Sequence, residues 1–367
     1  MCWLSRVSIV AAFISVLVGS DATTVAAPLD LSRVAADSKW MMHLDMDAAR
    51  DSTIVQRAYE RATKMHPHAE NMISIFSGMT GMDPRKDLHD VTVYGFDTDK
   101  RNAVMIVCAD AKREFLNKMV EKAANHKKTE YRSYTLHSWT QKGWPRGWSG
   151  SVVGAFFKDS IMVFARTEAG VQAALDLLDG SSTKSVRATG SMLAGRTRPG
   201  SIMIARSVEV DPDTRCPVLK QGSAFRVALG ESSGSFFYRA QLDMKNAAAA
   251  GQVEDVVKGF IALAALKYGS DENTTKLLAD LGVETAGIAC KISWNAPADG
   301  VWKWMDKAAA TWEEKRRQWS GKGRMQNGCP DCEKDGCRGC QSAGRCPLEG
   351  GQAGAHDAEK PLAEDEF

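Results

Sequence analysis

Apolar and polar positions alternate from Trp40 onward: Trp40, Met42, Leu44 and Met46 are separated by single residues, the period of a strand with one apolar face. Ile54, Val55, Ala58, Tyr59, Ala62 and Met65 then recur at three- and four-residue steps, so a helix follows, capped by Ser52 or Thr53. Residues 91–96 and 103–109 read as a hairpin joined through Asp97-Thr98-Asp99-Lys100. Phe115, Leu116, Met119, Val120 and Ala123 make a second amphipathic helix, followed by a strand at 131–139. A further hairpin, 152–157 with 161–166, leads into a helix capped by Thr167 and ended by Gly180.

The pattern then begins again. A strand at 201–208 precedes an irregular stretch through Pro212 and Pro217, and a hairpin pairs 224–229 with 235–244. Val253, Val256, Val257, Phe260, Ile261, Ala264 and Tyr268 mark a long helix. A short helix at 274–281, a strand at 283–294 and a last helix with Met305, Ala308, Trp312 and Trp319 follow. Strand, helix or irregular stretch, hairpin, helix and strand thus occur twice. This predicts an α+β fold of two tandem ferredoxin-like βαββαβ-type units, at 28–182 and 201–320, each an antiparallel sheet with helices on one face. A Ser-, Thr-, Gly-, Arg- and Pro-rich linker at 183–200 joins them, and a Cys-rich, acidic tail occupies 321–367.

Composition narrows the setting. Arg6, the 13-residue apolar run from Val7 to Gly19 and the small residues Ser20, Ala22, Ala26 and Ala27 read as a secretory signal peptide, residues 1–22, with cleavage after 27 as the alternative. The run is shorter than the roughly 20 residues that span a bilayer, so no membrane span is expected after cleavage and the mature chain is expected to be periplasmic or extracellular. Of 367 residues, 47 are Lys or Arg and 45 are Asp or Glu, a formal charge of +2 that disfavours nucleic acid as the partner.

Three stretches carry a resemblance. Trp40-Met41-Met42-His43-Leu44-Asp45-Met46-Asp47-Ala48-Ala49-Arg50 is similar to the W-x-x-H-L-D-x-D-A-x-R opening of exported bacterial proteins of unassigned function, numerous in planctomycetes. Asp83-Pro84-Arg85-Lys86-Asp87-Leu88 and Leu136-His137-Ser138-Trp139 also resemble that group. The likeness covers roughly residues 30–310. It implies export and the fold, and it brings no activity, cofactor or catalytic residue; the tail falls outside it.

The densest chemical signal is Cys329-Pro-Asp-Cys332, Cys337-Arg-Gly-Cys340 and Cys346, five thiols within 18 residues. Paired C-x-x-C turns suit tetrahedral zinc, but the two pairs are closer than in a zinc ribbon, and neither is followed by His as haem attachment requires. Export makes disulfides the favoured reading, with zinc held by Cys329, Cys332, Cys337 and Cys340 next, and redox thiols last. Cys108 and Cys290 lie in apolar runs and read as core thiols. Cys216, in a polar loop, is the body partner for a bridge to the tail, with Cys346 the odd tail thiol.

Other constellations weigh less. His43, Asp45 and Asp47 alternate on the polar side of the first strand, where a solvated face is favoured over a metal site. His66-Pro67-His68 reads as a helix end. Gly230-Glu231-Ser232-Ser233-Gly234 matches G-x-S-x-G, but a strand follows where a nucleophile elbow needs a helix, so it is a hairpin turn. Trp144 and Trp148 among basic and glycine residues, and Trp302 facing outward on the last helix, are candidate partner-binding residues. Walker and dinucleotide fingerprints are absent. The expected function is an exported, non-enzymatic binding or assembly module for a protein or glycan partner in the cell envelope. The alternative is an envelope metal-binding or thiol-redox protein acting through the tail.

Overall fold

The first half of the chain supplies strands β1 (Trp40–Asp45), β2 (Leu88–Gly95), β3 (Ala103–Ala109), β4 (Lys127–Tyr131), β5 (Tyr134–Gln141), β6 (Gly150–Phe157) and β7 (Ile161–Ala165). The second supplies β8 (Ser201–Ser207), β9 (Gly222–Ser232), β10 (Ser235–Met244), β11 (Leu281–Ala286) and β12 (Ala289–Pro297). In the computed structural model, which describes residues 29–326 except 67, 100–101, 142–149, 190, 192, 211–213, 215–216 and 270, these form one sheet. Its order is β11-β12-β10-β9-β8-β1-β2-β3-β7-β6-β5-β4. Every neighbouring pair is antiparallel. The halves meet at β1, where Met42 stands between Val93 of β2 and Ala205 of β8.

The α+β class is as expected, but the two halves do not build two ferredoxin-like sheets. A βαββαβ unit interleaves its strands in a small sheet of its own, whereas here β1, β2 and β3 lie side by side in chain order and all twelve strands join one sheet. Two stretches read as single strands are hairpins instead. Residues 131–139 hold the turn between β4 and β5, with Arg132 at φ +52°, and residues 283–294 hold the turn between β11 and β12, with Gly287 at φ +60°. The extra strands extend the sheet outward at both ends and leave β1 and β8 to pair in the middle.

The helices are α1 (Met46–Asp51), α2 (Thr53–Met65), α3 (His68–Thr80), α4 (Arg113–Glu121), α5 (Glu168–Leu178), α6 (Val186–Thr189), α7 (Pro217–Lys220), α8 (Ala247–Tyr268), α9 (Glu272–Ala279) and α10 (Ala298–Gln326). They cover both faces of the first half rather than one. Along β3, Val104 and Ile106 point to a core with Met41, Tyr94 and Val163, closed by Val171, Ala174 and Leu175 of α5. Met105 and Val107 point the other way, toward Met46, Met82, Leu88, Leu116 and Met162. Register carries this second face across the sheet through the opposed residues Ala103, Gly95, Trp40, Ser207, Phe225 and Leu242. There Ala249, Ala250 and Val253 of α8 pack on Met244 and Cys290.

Within the stretch 183–200, Val186 and Leu193 are fully buried, Ser185 bridges Ala35, and the Leu193 carbonyl accepts 2.7 Å from Nη1 of Arg206. The chain divides into two compact units, Met1–Met305 and Asp306–Phe367, and in the second the described residues continue α10 to Gln326. No described helix is long and apolar enough to cross a membrane.

The G-x-S-x-G stretch is a hairpin, as expected: Ser232 pairs with Ser235 across a two-residue turn in which Ser233 and Gly234 both have positive φ, +52° and +72°. Glu231 beside it accepts from Ser52 Oγ at 2.8 Å and Ile54 N at 3.2 Å, so a side chain of the second half caps a helix of the first. Gly230 lets β9 approach β8 here, since a β-carbon on it would lie 1.9 Å from the Gly200 carbonyl oxygen. Gly230→Ala is expected to cost roughly 1–3 kcal/mol or more, because the obstacle is backbone that must shift. Thermal melts of the variant against Gly234→Ala, whose surroundings are open, check this: Gly230→Ala melts lowest.

Candidate functional site

The polar row on β1 is buried, not solvated. Because β1 lies mid-sheet with both faces covered, Met41, His43 and Asp45 point into the protein while Trp40, Met42 and Leu44 are partly exposed. His43 Nδ1 lies 2.9 Å from Thr92 Oγ1, its cross-strand partner. Asp45 accepts from the Ala48 amide at 2.8 Å and thereby caps α1. Burial, with Asp90 opposite adding repulsion, pushes its carboxyl up to about 6.

Asp90 stands next to Cys108 on β3, and burial raises its carboxyl too. Arg33 Nη1 reaches both, 3.0 Å from Cys108 Sγ and 3.9 Å from Asp90 Oδ2. Burial, reinforced by Asp90, pushes the Cys108 thiol up to about 12, so it stays protonated and is a poor nucleophile.

Asp47 leaves the row because it belongs to α1. It pairs with Arg50 and lies 3.2 Å from His89 Nδ1, while His89 Nε2 lies 3.3 Å from Asp110. Arg50 also donates to the Leu88 carbonyl at 2.8 Å, tying α1 to β2. A third pair, His126 Nε2 and His137 Nδ1 at 3.0 Å, is stacked at the sheet edge, and burial lowers the His137 pKa. These groups are partnered within the protein except for Asp90 Oδ1, which is buried without a hydrogen bond to the described residues, and the Thr92 hydroxyl faces His43 inside the sheet. Among the described residues no three or more His, Cys, Asp or Glu are placed to hold a metal.

The remaining candidates separate as follows. Cys329, Cys332, Cys337, Cys340, Cys346, Cys216, Trp144 and Trp148 lie outside the described residues. Cys108 and Cys290 are free thiols, as their apolar runs predict. His66 is exposed at the end of α2 and His68 opens α3. Trp302, expected outward, is half-buried against Ile54, Leu277 and Ala296, because the first turn of α10 lies on the sheet beside β12. Its neighbour Trp304 is the more exposed indole and stacks edge-on against Trp294.

The surface holds what the interior lacks. Helix α3 faces the wrong way for a helix stabilised only by its own core: Met72, Ile75, Phe76 and Met79, at i, i+3, i+4 and i+7, point outward, and Met72 is 66% exposed. Its inward side carries Ile73 and Thr80 and also Ser77, whose Oγ is buried without a partner. On α4, Phe115 and Met119 are exposed as well. Helix α8 repeats the pattern with Val256, Phe260, Leu263 and Leu266, the last 83% exposed. A cleft of about 430 Å³ opens on the opposite face of the sheet, with Phe96, Val104, Ala165 and Gly170 in its lining and Asp37 and Arg166 at its polar side.

No protein-family model and no curated protein matches the chain. Among solved structures, crystal form III of TP0453 is similar at a TM-score of 0.40 with 10% sequence identity, over 76% of this chain and 97% of that one. Crystal form I of TP0453 gives 0.39 and 9%, over 77% and 98%.

The raised Asp45 carboxyl makes a stability prediction. A folded-state pKa above the unfolded value means the stabilising contribution is complete below about pH 4 and is lost as pH rises through about 6. Asn keeps the cap without the charge. Asp45→Asn should therefore be more stable than the natural chain by about 1–3 kcal/mol above pH 6, with the difference vanishing below about pH 4. Denaturant titrations across that range measure it; a benefit confined to acid pH would contradict the assignment.

Proposed function

We propose that the protein is an exported binding module that works through the outward side of its helical layer and not through a catalytic centre. The observation that carries this reading is the inverted α3, which buries Ser77 and Thr80 and holds Met72, Ile75, Phe76 and Met79 out. A stripe of this kind gives the free protein little and gives a partner much. Large exposed apolar patches on soluble chains mark interaction surfaces, and methionine's flexible thioether adapts to the shape of what it meets. The buried polar groups of the first strand and α1 support the same reading, because Asp45 serves a cap, His43 a cross-strand pair and Asp47 an ion pair. The signal-like segment at 1–22 supports a setting in the cell envelope, and the apolar stripe fits an apolar partner better than a glycan.

A photo-cross-linking residue at Ile75, in cells producing the full chain, should give discrete adducts. The same probe at Asp159, in an exposed turn, should give none. An Ile75 probe that stays unreacted would contradict the reading.

A further inference from the structure

We propose that the outward face formed by α3 and α4 docks on an anionic lipid surface; this rests on the binding-module reading and names its partner. Two observations meet at this face. The first is the apolar stripe of α3. The second is its charge: along α4 and its C-cap, Phe115, Lys118, Met119 and Lys122 recur at i, i+3, i+4 and i+7, with Lys112 at the N-cap. Lysine and large apolar side chains therefore share one stripe. Gly81, just past α3, brings the helices together, since a β-carbon there would lie 3.5 Å from the Phe115 ring and 3.6 Å from the Lys112 stem.

The three lysines are exposed and form no ion pair among the described residues. Of the two acids on α4, Glu121 is 2.5 Å from Lys128 and so is neutralised, which leaves Glu114 against three ammonium groups. Lysines set among apolar side chains lay their stems along the apolar surface and lift their charges toward a layer of phosphates. A partner protein's acidic helix would match the charge but needs a groove, and the outward stripe of α3 stands proud of the surface with Met72, Ile75 and Met79 each more than half exposed. The same sheet face also carries α8, where Phe260, Leu263 and Leu266 are exposed and Lys267 lies over the Tyr268 ring. Two separate apolar helix faces fit an extended apolar phase, while a single docked helix covers one.

The test is flotation of the purified full chain with phosphatidylcholine vesicles and with vesicles that also contain phosphatidylglycerol, at low and high salt. The expected result is binding to the anionic vesicles at low salt, at least tenfold weaker at high salt or without the anionic lipid. Lys118→Gln with Lys122→Gln should lower partitioning by roughly tenfold or more, at about a fivefold loss for each lysine. Met72→Ser with Met79→Ser should abolish it while leaving the melting curve in place, since both side chains are exposed. Equal binding to neutral vesicles, or none to anionic ones, overturns the proposal, as does an oligomer that falls apart in the Met72/Met79 variant, which would mean a second copy covers the face. If lipid binding fails while Ile75 still cross-links to a protein, only the lipid assignment falls; if both fail, the binding-module reading falls with it.

Discussion

The ladder between β1 and β8 is the interaction on which the rest of the structure depends. It makes the two halves one sheet, Trp40 opposite Ser207 through Leu44 opposite Met203, and it makes β1 a central strand. The side of this central strand that carries Met41, His43 and Asp45 is buried, so His43 and Asp45 must find partners inside. They do: His43 meets Thr92 across the ladder, and Asp45 closes the N-terminus of α1. The crowding of Asp45, Asp90 and Cys108 along adjacent strands, with Arg33 reaching in from the flank, follows from the same position in the sheet.

A sheet this wide needs more helical cover than the chain supplies with well-turned helices. Helix α5 buries its apolar side through Val171, Ala174 and Leu175, whereas α8 buries Ala249, Ala250 and Val253 and exposes Val256, Phe260, Leu263 and Leu266. Helix α3 buries Ile73, Thr80 and the Ser77 hydroxyl and leaves its larger apolar residues outside. Burying a side chain such as Met, Ile or Phe is worth about 1.5–3 kcal/mol, so the stripe Met72, Ile75, Phe76 and Met79 forgoes several kcal/mol in the free molecule. That energy is recovered only by contact with something apolar. The partnered His43 and Asp45 and the exposed stripe of α3 belong to one arrangement, in which the apolar side chains of α3 gain most from contact outside the protein.

Much of this was legible in the sequence, and the failures have physical causes. The strands β2, β3, β6, β7, β9 and β10 and helices α2, α4, α5 and α8 fall where periodicity places them, and Ser52 and Thr167 cap as their positions suggest. The alternation in β1 marks the wrong side as wetter, because on this central strand the apolar Trp40, Met42 and Leu44 are the partly exposed side chains. The β4–β5 turn was missed because it rests on Arg132 in the left-handed region rather than on glycine, and the β11–β12 turn because the single Gly287 lies within an otherwise strand-like run. Helix α3 passed unread for a related reason: with Ser74, Ser77 and Gly78 among Met and Ile, its composition resembles a loop, and its apolar stripe has no core to predict. The candidate face could have been found from one signal, the matched i, i+3, i+4, i+7 stripes in 72–79 and 115–122, had the second helix been weighed for its lysines as well as its phenylalanine.

Amide hydrogen exchange of the full chain, with and without phosphatidylglycerol-containing vesicles, tests the central claim most directly. The account predicts slowed exchange concentrated in residues 68–80 and 113–121, with β1 and β8 protected to the same degree in both conditions. Unchanged exchange in those two helices, or protection that appears only elsewhere, would contradict it.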